Sequence, residues 1–365
     1  RYIFVTLYGL RTYFLHLPLI FIVPLVFTRA DFDRMGFWLC VVAIPMALLV
    51  MLQFQSAPDH ILNRTSTGEG KQIESAMGKI RPAGTFSFIT GVAQYYALVT
   101  AFILYGVAEA GKLPKALMLS AGVSLMCALA VSGSRTAVMS CGIVFGMLLV
   151  GCVVRPEMAR HLYKLLILGG VAALFAASSD VFNEGVKIMT VRNELARGVE
   201  GSDGFYLRIL DGFLEPFLVM ERTPFFGHGA GVGTNVGAQL IAGELKFLLA
   251  EGEWLRTILE VGPLLGTAYL SFRVILFLWL GWLSCCSARR GDLLPLLLFG
   301  ACGPIILTGG FGQATTLGFT CLGAGLCLAA ANLPDIHHEN FARRKLRVRS
   351  PGKHAAIRSH AQDWA

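Results

Sequence analysis

Apolar runs of 16 to 25 residues alternate with short charged turns along most of the chain. Runs of this length suit helices that cross a hydrocarbon core about 30 Å thick. They are rich in Leu, Val, Phe and Gly with scattered Pro, which favours helices over barrel strands. The pattern predicts nine spans, at residues 12–28, 36–53, 88–108, 113–131, 137–154, 163–178, 261–285, 293–308 and 311–331.

One long polar insertion separates the sixth run from the seventh. Its apolar side chains between 205 and 218 share one helical face, and Arg208, Asp211, Glu215 and Arg222 share the other. This pattern predicts a helix lying at the membrane interface. A second loop helix is expected to run from Ile241 toward Trp254.

The chain is thereby predicted to be an all-α polytopic membrane protein with four regions. These are an N-terminal set of about six spans at 1–178 with an external loop at 54–87, a polar loop at 179–253, about three further spans at 254–331, and a basic tail at 332–365.

Composition excludes a single soluble domain, because 55% of the 365 residues are hydrophobic and 15% are charged. The turns at 29–34, 109–115, 155–164 and 289–292, with the tail, carry the whole net charge of +8. Basic residues are retained on the cytoplasmic side, so these segments and the C-terminus are predicted inside. The long loop holds eleven acidic and six basic side chains and is predicted outside.

Several function classes lose support from the sequence. The basic tail indicates a lipid-contacting topology anchor, so no nucleic-acid partner is expected. All nine cysteines lie in or beside spans, which predicts packing residues and neither disulfides nor a metal site. Neither a repeat nor a matched pair of broken helices is evident, which weakens a transporter interpretation. The chain begins at Arg1, and we expect further residues upstream.

Three arginines at predicted external boundaries are candidates for binding a lipid phosphate: Arg81, Arg135 and Arg208. A guanidinium is always charged and binds phosphate oxygens bidentately. The alternatives are a snorkelling anchor or a solvated helix face. Arg222 is a secondary candidate in the same loop.

The run Gly227-His-Gly-Ala-Gly-Val-Gly233 offers closely spaced backbone amides. Gly229 and Gly231 are candidates for presenting such amides to a phosphate, and a hinge between two loop helices is the alternative. His228 is a weaker candidate for proton transfer.

Carboxylates mark the end of the long loop. Glu251, Glu253 or Glu260 could act as a general base, since a partly dry carboxylate is more basic. The alternative is ion pairing with Arg256, which lies three residues after Glu253 and four before Glu260. Arg273 lies midway along an apolar span and is a functional candidate because burying such a charge is costly.

Several motifs together resemble the bacterial O-antigen ligase and O-antigen polymerase family. They are Arg81-Pro-Ala-Gly-Thr-Phe86, Ser132-Gly-Ser-Arg-Thr-Ala137, Arg208 on a loop helix, Pro224-Phe-Phe-Gly-His-Gly-Ala-Gly231 and Glu260-Val-Gly-Pro-Leu-Leu-Gly266. Each motif is short, but their order and spacing extend from about Arg81 to Leu326.

The resemblance implies a helical bundle like that of C-type glycosyltransferases, with a large periplasmic loop over a cavity, in the bacterial inner membrane. It implies transfer of a glycan from undecaprenyl pyrophosphate to a glycan or lipid acceptor, without nucleotide sugar, cofactor or metal. Arg135 and Arg208, and more weakly Arg81, would bind the pyrophosphate. Membrane lipid and polysaccharide export or chain-length proteins are further implied partners.

One departure from the family pattern favours a polymerase of exopolysaccharide or O-antigen repeats. Family ligases tend to carry a His-Asn pair where this chain reads Glu251-Gly-Glu253-Trp-Leu-Arg256. Glu251 or Glu253 would then activate the acceptor. A ligase acting on lipid A core or protein, a transporter of lipid-linked polysaccharide and a non-catalytic assembly subunit remain the alternatives.

Overall fold

The computed structural model describes residues 2–64, 72, 74–109, 111–200, 204–244 and 248–333, and their regular structure is helical. The helices are α1 (Tyr2–Leu10), α2 (Leu19–Val26), α3 (Arg29–Gln55), α4 (Ile89–Ala108), α5 (Lys115–Ser132), α6 (Arg135–Val154), α7 (Leu162–Ala177), α8 (Asp180–Glu200), α9 (Gly204–Val219), α10 (Asn235–Ala242), α11 (Glu253–Arg290), α12 (Leu294–Thr308) and α13 (Ala314–Asn332). The basic tail predicted at 332–365 lies almost wholly outside the described residues.

Each of the nine predicted apolar runs overlaps a helix, but fewer than nine are full spans. Among the described residues six helices are long and apolar enough to cross a membrane, namely α3, α4, α5, α6, α11 and α13. Two bent pairs, α1 with α2 and α7 with α8, raise the number to eight if each forms one span. The fifteen-residue α12 is shorter.

The first predicted span, at 12–28, is wrong as one continuous helix. A π-helical turn, Arg11–Leu15, follows α1, and the chain then bends by 41° before α2. Pro18 lies at the bend and supplies no backbone N–H to continue the helical ladder. The eight-residue α2 is too short to cross a membrane alone.

The core of the bundle is formed by α4 and α12, which are buried along most of their length. Around them pack α6, α11 and α13, while α3, α5 and α7 enclose a second hydrophobic cluster on the other side of α4. Small residues permit this close packing. A Cβ at Gly300 in α12, for example, would lie 2.8 Å from Met147 of α6.

Three turns predicted to be cytoplasmic meet at one end of the bundle. Arg29 pairs with Asp292 and, at 3.1 Å, with Glu109, and Lys112 reaches Asp33 at 2.7 Å. The residues around 29–33, 109–112 and 292 therefore share one end, as their charges predict. Which side of the membrane they face stays a prediction.

The predicted long loop is mostly helical. Its α8 is joined to the 74–88 segment by a Lys79–Glu184 ion pair at 3.0 Å, and α9 packs on α11 through the Phe213 and Trp254 rings. The predicted helix from Ile241 toward Trp254 is wrong. α10 ends after Ala242 because Gly243 takes the left-handed conformation, φ 76°, and Trp254 belongs to the first turn of α11.

Candidate functional site

A cavity of about 770 Å³ lies between α4, α6, α9, the start of α11 and the turn joining α12 to α13. Its lining includes the carboxylates Asp211, Glu215, Glu251 and Glu253, the amides Gln94 and Gln313, and several Thr and Ser hydroxyls. Carboxylate, amide and hydroxyl groups together can pair with both the donor and the acceptor side of a sugar hydroxyl. The volume suits a small oligosaccharide segment or a comparable polar ligand.

Both Glu251 and Glu253 line this cavity, yet their surroundings differ. Glu251 is exposed, whereas Glu253 is 9% exposed and lies in a buried ion cluster. Arg256 donates to both Glu253 oxygens at 2.9–3.0 Å and contacts Glu260 at 2.8 Å. The ion pairs that the spacing of Arg256 predicts are therefore present.

Arg273 has a partner that the sequence did not identify. Its Nη1 donates to Glu253 Oε1 at 3.2 Å, while Nε and Nη2 donate to the carbonyls of Ile306 and Gly309 at 2.7 and 2.8 Å. The guanidinium also lies 4.0 Å from the ring centroid of Phe311. Arg273 thus connects the end of α12 to the first turn of α11 through hydrogen bonds. Both of these elements border the cavity.

The glycine-rich run is attached to Glu260. The amides of Gly231 and Gly233 donate to its carboxylate at 3.0 and 2.8 Å, and the amide of Gly229 donates to its backbone carbonyl at 2.9 Å. Tyr13 adds a hydroxyl hydrogen bond at 2.7 Å. The predicted presentation of Gly229 and Gly231 to a phosphate therefore does not fit this arrangement, because a carboxylate and a carbonyl of the chain already accept from their amides.

A kink in α11 permits this contact. Gly262 has φ 85° and ψ 168° inside the helix, and Pro263 follows it. The glycine is required at this position, since an added Cβ would lie 2.0 Å from the carbonyl oxygen of Phe225.

The amide of His228 donates to the carbonyl of Leu259 at 2.7 Å, while the residue itself is exposed and does not line the cavity.

Two of the three boundary arginines interact electrostatically. Gly133 ends α5 with φ 54°, and Ser134 caps α6 by accepting from the Ala137 amide, so Arg135 occupies the first helical position. Burial, and to a lesser extent the positive charge of Arg135, lowers the pKa of Arg81. The Nε atom of Arg81 is buried and has no hydrogen-bond partner among the described residues.

Arg135 borders the cavity, because Thr136, the next residue of α6, is part of the lining. A third arginine approaches the same turn from α8: a Cβ added at Gly133 would lie 3.9 Å from Nη1 of Arg192. Sequence patterns did not single out Arg192, since it is one of several charged residues on an amphipathic helix.

The two remaining candidate arginines belong to the long loop. The backbone of Arg208 lies in α9, and its side chain lies outside the described part of the structure. Arg222 is exposed on a short 3-10 turn and does not line the cavity.

Sequence reasoning missed the cavity roles of Asp211, Glu215 and Gln94. The first two carried a signal, because they lie on the polar face of α9, but that face could equally have met solvent. Gln94 gave a weaker signal as a polar residue within an apolar run.

No family model, curated protein or solved structure matches this chain.

Proposed function

We propose that the chain is a membrane glycosyltransferase that polymerises surface polysaccharide repeats from an undecaprenyl-pyrophosphate-linked donor, on the periplasmic side of a bacterial inner membrane. The resemblance of its ordered motifs to O-antigen ligases and polymerases motivates the reaction class. The main structural support is the position of Arg135, which interacts electrostatically with Arg81 and directly precedes Thr136 in the wall of a cavity lined with carboxylates.

The reaction needs two opposite electrostatic environments. The acceptor hydroxyl oxygen attacks the anomeric carbon, the bond from that carbon to the pyrophosphate oxygen breaks, and the leaving pyrophosphate takes the electron pair. Guanidinium groups placed beforehand would stabilise the charge that builds on the leaving group. A carboxylate would take the proton from the acceptor hydroxyl. Direct displacement would invert the configuration of the anomeric carbon.

Glu251 is the better candidate for the base. Glu253 already accepts hydrogen bonds from Arg256 and Arg273, so its oxygens are engaged in the buried ion cluster. Glu251 is exposed at the cavity wall and can reach a bound hydroxyl without breaking this cluster. Glu253 would instead maintain the shape of the wall.

Surface glycan analysis tests the proposal in cells. A strain lacking the protein is complemented with wild type, Arg135→Ala or Arg34→Ala, and its glycans are separated on a gel. Arg34 is a matched control because its side chain is 72% exposed and lies in the cluster of turns at the opposite end of the bundle. We expect Arg135→Ala to abolish long chains and Arg34→Ala to preserve them.

The glycan pattern also separates the alternatives. Loss of long chains with single repeats retained on their acceptor supports a polymerase, whereas loss of both supports a ligase acting on lipid A core or protein. A normal pattern in cells that contain inserted Arg135→Ala protein would refute the enzymatic proposal. Accumulation of undecaprenyl-linked repeats on the cytoplasmic side would instead favour a transporter.

A further inference from the structure

We propose that the cavity selects an uncharged or amino-substituted sugar at the acceptor end and rejects sugars that carry carboxylate or phosphate. This inference rests on the proposed glycosyl transfer and specifies its acceptor class. The lining carries four carboxylates, from Asp211, Glu215, Glu251 and Glu253, and no basic side chain in the described part of the chain.

The two arginines of the buried ion cluster do not reverse this charge. Arg256 and Arg273 are held by Glu253 and Glu260, so these two arginines and two glutamates balance each other. Asp211 and Glu215 add negative charge to the wall beyond that balance. Walls of one sign focus the potential inside a cleft, so an anionic sugar would be repelled.

Gln94 provides a second observation that points to a hydroxyl ligand. The residue is 7% exposed, lines the cavity and makes one long side-chain contact, from Nε2 to Thr316 Oγ1 at 3.5 Å. Its Oε1 has no hydrogen-bond partner among the described residues. Rotating the side-chain amide by 180° would exchange Oε1 and Nε2, and Nε2 would then be the atom without a partner.

An unpaired buried amide is costly, and a ligand that pairs with it gains that energy on binding. A sugar hydroxyl both donates and accepts, so it can pair with either end of Gln94 and can donate to the carboxylates. A carboxylate or phosphate substituent accepts only and would face charges of its own sign.

The donor and acceptor would therefore be sorted by charge. The pyrophosphate belongs beside Arg81 and Arg135, and the neutral acceptor belongs against the carboxylates. An acceptor that carries a negative charge would be rejected by repulsion, which contributes to specificity as much as attraction does.

A matched pair of glycans tests this selection. The full chain in lipid nanodiscs is titrated in a calorimeter with a neutral oligosaccharide released from the host polymer. The same preparation is then tested after its primary hydroxyls have been oxidised to carboxylates. At low salt we expect oxidation to weaken binding by about tenfold or more, and added salt to reduce that difference.

Variants test whether the carboxylates of the cavity wall cause this selection. Combining Asp211→Asn with Glu215→Gln should reduce the difference between the two glycans, whereas Glu221→Gln should preserve it. Glu221 is an exposed carboxylate of the same region that does not line the cavity. Gln94→Leu, which keeps the side-chain size, should weaken binding of the neutral glycan by about fivefold or more.

Three results would overturn the inference: equal or tighter binding of the oxidised glycan, no binding of either glycan, or an unchanged difference in the double variant. Transfer from the lipid-linked donor is measured separately. Normal transfer without charge selection defeats only this inference, whereas absent transfer in the wild type defeats the proposed function.

Discussion

Removing the guanidinium of Arg273 should lower the free energy of unfolding more than removing that of Arg289 or Arg290, the arginines of α11 outside the ion cluster. Its side chain is 1% exposed and donates to Glu253 and to the carbonyls of Ile306 and Gly309. Arg273→Met retains much of the apolar stem and removes all three donors. Arg289→Met is the matched control, because Arg289 is exposed in the last turn of the same helix.

The magnitude follows from these three contacts. Hydrogen bonds that involve a charged group are each worth about 1.5–3 kcal/mol, so three of them set an upper limit of about 9 kcal/mol. Glu253 keeps Arg256 as a partner, so the substitution does not leave a buried charge alone. We therefore expect a loss near 3 kcal/mol, the lower end of the range of about 3–5 kcal/mol for breaking a buried ion pair. Arg289→Met should cost less than about 1 kcal/mol.

Unfolding of the purified protein by denaturant in mixed micelles measures the difference. The double variant Arg273→Met with Glu253→Gln should lose at least about 1 kcal/mol less than the sum of the single variants, because the two side chains interact directly. If Arg273→Met were no less stable than Arg289→Met, or if the two effects simply added, the proposed ion cluster would be wrong.

Three further predictions concern residues beside this cluster. Tyr13→Phe removes the 2.7 Å hydrogen bond to Glu260 and should cost about 1.5–3 kcal/mol in the same unfolding assay; no change would contradict that bond. Gly262→Ala places a Cβ against Phe225 at φ 85° and should cost about 2 kcal/mol or more, and a stable variant would argue against the kink. Glu251→Gln should slow transfer about 10²- to 10⁴-fold without changing stability, and full activity would exclude Glu251 as the base.

The helices could be predicted from sequence to the extent that local apolarity determines them. A run of about 20 apolar residues has few other stable structures, so each of the nine runs overlaps a helix. Breaks inside the runs were harder to locate. Pro18 was visible in the sequence, but whether it bends a helix or ends one depends on how α1 and α2 pack.

The contacts of the candidate site could likewise be predicted only in part. The pairing of Arg256 with Glu253 and Glu260 follows from spacing on one helix, and the sequence offered it as the alternative to a general-base role. The contact between Arg273 and Glu253 joins residues on either side of the kink at Gly262, so helical spacing could not reveal it. The glycine amides offered the same difficulty, because sequence indicates a place for an anion without showing that Glu260 fills it.

Transfer by the purified, reconstituted protein is the most direct test of the central claim. Vesicles containing the full chain and an undecaprenyl-pyrophosphate-linked repeat should form longer glycans and release undecaprenyl pyrophosphate. Arg135→Ala should reduce this rate about 10²-fold or more, while Arg34→Ala should leave it unchanged. Transfer by Arg135→Ala at the wild-type rate, or no transfer by the wild type, would contradict the account.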